Sequence, residues 1–249
     1  MEERPPAASP PPLAAGIETI QKEKLERLAA LLRSLGRVAV AYSGGVDSSF
    51  LLSVARSVLG DDAVGVLAVS ESLDRHEHEE AVKNAALMGI PVEVIVTREH
   101  ENPEYRKNDG NRCYHCKHEL FVEVKKFAAA RGILHVVDGS NADDVGDYRP
   151  GLRARNEQGV RSPLLEAGLG KDDIRRFARG LGLPQWDKPA APCLASRIPY
   201  GSEVTNDKLR QVERAEKAMR DLGLRVFRVR HHGPVARLEV SASDFPRLL

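Results

Sequence analysis

The sequence is short of cysteine, of net charge and of long apolar runs, and each shortage excludes something. It holds three cysteines in 249 residues: Cys113, Cys116 and Cys193. An odd, sparse set cannot build the disulfide framework of a small secreted domain. It points to metal or reactive-sulfur chemistry in a reducing compartment. Lys plus Arg number 37 against 36 Asp plus Glu, a net charge of +1. That balance lacks the basic footprint of a nucleic-acid binder, so such a partner is not expected. No apolar run approaches the roughly 20 residues of a membrane helix, and no membrane association is expected. The opening MEERPPAASPPPLAAG has neither the basic n-region nor the apolar h-region of a signal peptide. Residues 1–16 read as a disordered Pro/Ala-rich leader, and the expected location is the cytoplasm. There are no internal repeats.

What is present is a regular alternation. Residues 17–35 place Leu25, Leu28, Leu32 and Leu35 at helical spacing, with Gly36 as a stop. Runs rich in Val, Ile and Leu at 37–42, 63–69, 91–97 and 133–139 alternate with helical patterns at 48–58, 74–88 and 115–131. Near-continuous apolar strands of this kind predict a parallel sheet covered on both faces. The expected fold is α/β, a doubly wound domain over residues 17–185. After 185 the composition shifts to a loop with Pro189, Pro192 and Pro199. A helix is expected over 206–223, capped by Thr205 or Asn206 and stopped at Gly223. Two strands joined by a His-Gly-Pro turn are expected over 224–240, making 186–249 a small α+β module.

The stretch AYSGGVDSS (41–49) ends the first strand and opens a helix. Ligands of open α/β sheets sit at such carboxyl ends. Gly44 and Gly45 let the backbone bring bare N–H groups to an anion, and the helix dipole adds to the pull. Ser43, Ser48 and Ser49 offer hydroxyls to phosphate oxygens. No GxxxxGK[ST] is present, so this is not a Walker loop. Asp47 would repel phosphate unless Mg²⁺ stood between them. The bland alternative is a tight turn with no ligand.

SGGVDSS resembles the pyrophosphate-loop motif SGGxDS of the ATP pyrophosphatase superfamily. The resemblance implies cleavage of ATP to AMP and pyrophosphate, with AMP placed on a substrate oxygen. NRCYHCKHELF (111–121), DGSNADDVGDYRPGLRA (138–154), APCLASRIPYGSEVT (191–205) and FRVRHHGPVARLEV (227–240) are similar, in order and context, to the LarE-like ATP-dependent sulfurtransferases. The likeness runs from about residue 18 to 240. It implies adenylation of a carboxylate of pyridinium-3,5-biscarboxylic acid mononucleotide, followed by sulfur insertion to give a thiocarboxylate. That product would serve the nickel-pincer cofactor of lactate racemase. A sulfide or persulfide donor and a homo-oligomer are implied as partners.

Site residues follow from the same likeness. Cys193 becomes the sulfur-bearing residue, with Arg197 placed to steady a thiolate or the departing AMP. Arg228, Arg230 and Arg149 become candidates for substrate and AMP phosphates, with Arg153 beside them; a solvent-facing strand is the plain reading of the first two. Ser70 stands where superfamily members hold adenine and ribose. Ser140, Asn141, Asp143 and Asp144 end a strand on the nucleotide side, or form an Asx turn. Trp186 could stack on a pyridinium ring or simply pack. Glu213 and Glu216 lie on the 206–223 helix, and Glu216 is the implied metal-binding acid. HEHEE (76–80) has the composition of a metal motif and reads as a solvated helix face.

Family members with a single cysteine sacrifice its sulfur and keep dehydroalanine. Others are thought to carry a [4Fe–4S] cluster on three cysteines, leaving one iron open for sulfide. The three cysteines here favour the cluster, on Cys113, Cys116 and Cys193. Zinc completed by His115, His118 or Cys193, a redox pair and unliganded thiols stay open. Two other functions compete: a tRNA thiolase on the same fold, and a nucleotide- or cluster-binding sensor without turnover. The sequence closes on SASDFPRLL, where family members continue into a further strand, so an exposed strand edge is expected there.

Overall fold

β1 (Val38–Tyr42) is buried on both faces, and its side chains alternate between two cores. Val38, Val40 and Tyr42 join a cluster with Leu28, Leu32, Phe50, Leu52, Ile174 and Phe177. Ala39 joins Val66, Phe121, Val124 and Ala128 on the other side. This period-two split makes β1 a central strand with helices on both faces. The computed structural model describes residues 19–145 and 150–248; the expected leader at 1–16 and Arg149 lie outside the described residues.

Around β1 the chain runs α1 (Thr19–Leu35), β1, α2 (Val46–Leu59), β2 (Ala63–Val69), α3 (Arg75–Leu87) and β3 (Val92–Val96). It continues through α4 (Pro103–Arg106), α5 (Arg112–Ala130), β4 (His135–Val137), α6 (Pro150–Glu157), α7 (Pro163–Glu166) and α8 (Lys171–Gly180). The sheet is parallel in the order β3-β2-β1-β4. The chain steps to one side of β1 for β2 and to the other for β4. The crevice at the carboxyl ends of β1 and β4 is therefore the topological switch point, where such sheets bind ligands.

β4 is shorter than the apolar run at 133–139 predicts. Beyond Val137 the backbone turns to pair with Arg161, as Asp138 N donates to Arg161 O at 2.9 Å. Four helices escape the strand-helix alternation. α4, α6 and α7 are short, and each opens on a proline pre-set for a first helical turn. α8 buries only Ile174, Phe177 and Ala178, an i, i+3, i+4 stripe inside a charged segment.

The C-terminal part holds α9 (Asn206–Asp221) and an antiparallel hairpin of β5 (Phe227–His232) and β6 (Val235–Val240). Thr205 is the cap of α9, accepting from Lys208 N at 3.3 Å. Gly223, at φ 79°, ends it. β6 is mostly exposed and pairs only with β5 among the described residues. α9 is tied to the start of α3. Arg220 forks onto Asp74 at 2.8 and 3.1 Å, and Glu213 accepts from Arg75 N at 3.0 Å. Asp74 is itself the α3 cap, accepting from His76 N. No helix among the described residues is long and apolar enough to cross a membrane.

Candidate functional site

The turn from β1 into α2 is shaped by its serines. Ser48 Oγ accepts from Ser43 N at 3.1 Å and donates to Gly45 O at 3.2 Å. Gly44 sits at φ +75°, and a Cβ there would lie 2.5 Å from the Ala81 Cβ on α3. Only glycine fits both the left-handed backbone and the close approach. Ser49 Oγ is buried with no hydrogen-bond partner. On the β4 side, a Cβ on Gly139 would stand 2.9 Å from Ser48 N, so the two strand ends meet at the helix start.

Asp47 lies at this junction. Asn141 Nδ2 donates to its Oδ2 at 3.0 Å. Burial pushes the Asp47 carboxyl up; the Asn141 bond pulls it back, Asp144 pushes it further up, and Lys171 and Arg175 pull it down. Asp144 Oδ2 accepts from Asn141 N at 3.1 Å, and its Oδ1 lies 3.9 Å from Lys171 Nζ. Asp47, Asn141 and Asp144 thus converge. Ser140 instead bonds Asp138 at 2.8 Å, and Asp143 accepts from Lys171 N at 2.7 Å. Two carboxylates at the head of α2 are a donor set for a hard cation with phosphate. The reading of the sequence missed Lys171 and Arg175. Their signal was a K-x-x-x-R spacing at the head of the α8 stripe.

Ser70 and Ser72 both donate to Glu99 Oε1. The other Glu99 oxygen is buried without a partner. Ser72 O also accepts from Leu194 N at 2.9 Å, which brings the Cys193 segment to the loop after β2.

Cys113 and Cys116 stand three apart in the first two turns of α5, and Cys193 precedes the short turn Leu194–Arg197. Cys113 is exposed, while Cys116 and Cys193 are half-buried. Both of the latter pack on the cluster of Tyr105, Leu194, Ala195 and Ile198. Burial pushes the Cys193 thiol up, Arg112 opposes it, and Cys113 adds to it. Burial also pushes Cys116 up, aided by Glu99, Cys193 and Cys113. Burial pulls the Arg112 guanidinium down, but the charges of Cys193 and Cys113 leave it raised. Arg112 directly precedes the C-x-x-C, yet its residue type alone does not mark it as part of the thiol site.

Arg197 has less freedom than its neighbour Cys193 suggests. Its Nε and Nη2 fork onto Glu216 at 2.7 and 3.0 Å, and its Nη1 donates to Pro192 O, Cys193 O and Ser196 Oγ. The expectation of a metal on Glu216 meets a carboxylate already engaged: it also accepts from Val229 N at 3.1 Å. Arg230 lies on Glu239 at 3.0 and 3.1 Å and on Ser196 O at 2.8 Å. Hydrogen bonds from Arg230 and Arg237 hold the Glu239 carboxyl down to about 2. Arg228 is exposed and lines a cleft of about 830 Å³ with Lys188, Pro192, Arg225 and Glu239. Glu77 and Glu80 of the HEHEE stretch hold Lys188 at 2.9 and 2.8 Å. Trp186 packs against the main core under Arg179, 5.0 Å from its ring, and Arg153 covers the Tyr114 ring at 4.0 Å. His118 Nε2 pairs with Gln158 at 3.0 Å, and His115 lies edge-on to Tyr114.

Among the described residues no three His, Cys, Asp or Glu side chains are grouped as round a single metal ion. Cys116 and Cys193 pack on one apolar cluster, and Cys113, three residues before Cys116, lies 3.9 Å from the buried Arg112 guanidinium. A sulfur-only donor set of this kind fits an iron–sulfur group.

The chain has recognisable relatives. It is 48% identical over 219 residues to an uncharacterized protein of Synechocystis sp., covering 88% of this chain and 82% of that one. It is 39% identical over 218 residues to the pyridinium-3,5-bisthiocarboxylic acid mononucleotide synthase of Lactiplantibacillus plantarum, covering 87% and 79%. It is 28% identical over 203 residues to a component of the glutamine-hydrolyzing GMP synthase of Archaeoglobus fulgidus, covering 75% and 65%. No protein-family model matches the chain.

Proposed function

We propose, from the premise that this chain belongs to the LarE-like family of ATP-dependent sulfurtransferases, that it thiolates pyridinium-3,5-biscarboxylic acid mononucleotide in nickel-pincer cofactor biosynthesis. One observation carries the reading. The turn after Cys193 is bonded to Ser72 in the loop after β2, while Cys193 shares an apolar cluster with Cys116 and its turn is bonded to Arg112, the neighbour of Cys113. Activation and sulfur delivery then take place side by side.

The β and γ phosphates of ATP rest on the N–H groups of Gly44 and Gly45 at the head of α2. Asp47 and Asp144 would hold Mg²⁺, which when bound offsets the repulsion between carboxylate and phosphate. Lys171 and Arg175 add positive charge opposite them. A substrate carboxylate oxygen attacks the α-phosphorus, the bond to the β-phosphate oxygen breaks, and pyrophosphate leaves. The mixed anhydride is now a good electrophile. A sulfur nucleophile attacks its carbonyl carbon, the bond to AMP breaks, and AMP carries away the electron pair. The exposed guanidinium of Arg228 suits the substrate phosphate; Arg230 reaches it only by leaving Glu239.

Cys113, Cys116 and Cys193 would hold a [4Fe–4S] cluster, which when bound supplies labile sulfide on its open iron. Arg112 compensates the negative charge that three thiolates bring to a half-buried place. The sulfur donor class proposed is sulfide or persulfide, and a reduced three-thiol site suits the cytoplasm.

The test is an anaerobic purification with an iron and acid-labile sulfide count, followed by turnover with ATP and the mononucleotide. The reading expects about four irons per chain, pyrophosphate and a thiocarboxylate product. Product without iron, with the chain lighter by one H₂S, would assign the sulfur to a sacrificial Cys193. Neither pyrophosphate nor product would leave the sensor reading. Thiolation of tRNA instead would move the substrate class.

A further inference from the structure

We propose that Asn108 and Arg112 are positioning residues: together they form a clamp that holds the turn carrying Cys193 against the C-x-x-C end of α5. The inference deepens the sulfur-transfer reading and rests on it for its purpose, though not for its geometry.

The clamp joins two stretches far apart in sequence. Asn108 is fully buried at φ 55°, a left-handed backbone that asparagine tolerates better than most residues. Its Nδ2 donates to Ile198 O at 3.2 Å, Pro199 O at 2.8 Å and Ser202 O at 2.8 Å. Its Oδ1 accepts from Arg112 Nη1 at 2.6 Å. The same Nη1 donates to Ala195 O at 2.9 Å, and Nη2 faces Cys113 Sγ at 3.9 Å. The Arg112 guanidinium also lies 5.5 Å from the Tyr200 ring centre. Backbone bonds lace the same two stretches: Gly201 N donates to Asn108 O at 3.0 Å, and Val204 N to Arg106 O at 2.9 Å.

The spacing gives the clamp its purpose. Arg112 is the residue before Cys113, and Ala195 is two residues after Cys193. One guanidinium therefore fixes the C-x-x-C end of α5 and the Cys193 turn to each other. Leu194, next to Ala195, is bonded to Ser72 O on the nucleotide side. The turn is thus pinned from two directions by consecutive residues. Burying a guanidinium is costly unless its donors are used. Here they are used on a carbonyl and an amide oxygen whose places decide where a thiol stands. A lysine keeps the charge and one donor centre but loses the second nitrogen that faces Cys113 and the planar guanidinium beside Tyr200.

The test reads thiol geometry directly. The reduced, metal-free full chain is treated with dibromobimane, a short reagent that bridges two thiols, and the bridged peptides are mapped by mass spectrometry. The Cys113–Cys116 bridge lies within α5 and serves as the internal control. Arg112→Gln and Asn108→Asp are expected to lower the bridges to Cys193, relative to that control, by about tenfold, since proximity sets such yields. Arg112→Lys, which keeps the charge, should recover only part of the loss. An unchanged ratio in folded variants would overturn the clamp, because a general loosening lowers both kinds of bridge together. Should Arg112→Gln fail to fold by circular dichroism, Asn108→Asp and Arg112→Lys decide the matter by the same ratio. The reagent needs no ATP, substrate or iron, so failure of the proposed chemistry leaves this result standing.

Discussion

Arg197 and Glu216 form a forked ion pair, 2.7 and 3.0 Å long, in which both side chains are more than nine-tenths buried. The pair joins the Cys193 turn to α9, and Glu216 goes on to Val229 N in β5. It is the bolt between the thiol site and the C-terminal hairpin.

Removing one partner would strand a buried charge, which costs about 3–5 kcal/mol. Arg197→Ala and Glu216→Gln should each lower the unfolding free energy by that order, seen as a lower urea midpoint with an unchanged denaturant slope. A loss under about 1 kcal/mol, the range of an exposed pair, would refute the burial argument.

Asp47→Asn should abolish pyrophosphate release, by about a hundredfold or more in rate, and yet stabilise the fold at neutral pH. The sign follows from the carboxyl being raised by burial. Below the ordinary aspartate range the group is neutral in both states and costs nothing. As pH rises toward the folded value the unfolded chain loses its proton first, so folded stability falls. Above it the full penalty is present, and asparagine removes it. Thermal melts at acidic and neutral pH check this: the gain from Asp47→Asn should grow with pH.

Cys193→Ala should retain pyrophosphate release and lose the thiocarboxylate. Thiolated product from that variant would show that the sulfur comes from elsewhere. Cys113→Ala separates the two sulfur modes. It should stop repeated turnover if three thiols act together, and spare a single event if Cys193 acts alone.

Gly44→Ala is expected to cost about 1–2 kcal/mol for the left-handed backbone alone, and more for the contact with α3. Its ATP affinity should fall together with its melting temperature, which calorimetry and a thermal scan can follow.

Much of this is readable in the sequence alone. Strands alternating with helices give away the parallel sheet, and the two glycines at 44 and 45 mark the strand end that carries the phosphate loop. Local patterns carry that information because neighbours in sequence create it. The clamp is not readable. Asn108 sits between short elements with no periodicity of its own, and its partners lie some ninety residues on. Arg197 shows the same limit. Its closeness to Cys193 in sequence suggests work at the thiol, but its donors point to Glu216, two carbonyls and a serine. Arg112 reads as an ordinary helix-opening residue, yet it faces the thiols. α8 carries a clear i, i+3, i+4 stripe, but nothing local says that Lys171 and Arg175 face Asp47 and Asp144; only the fold brings them there.

The contact between Gly44 and Ala81 also sets a rule for how this chain can drift. Tyr42 Oη donates to Ala81 O at 2.9 Å, so a shift of α3 away from Gly44 would cost that buried bond. Position 81 can shrink but not grow while the loop keeps its shape. A lineage with a larger residue there must have moved α3 outward, and Asp74 with it, loosening the Arg220 tie to α9. A larger residue at 81 is therefore expected only together with changes at its neighbours, and the tightness of the phosphate loop and the hold on α9 drift as one.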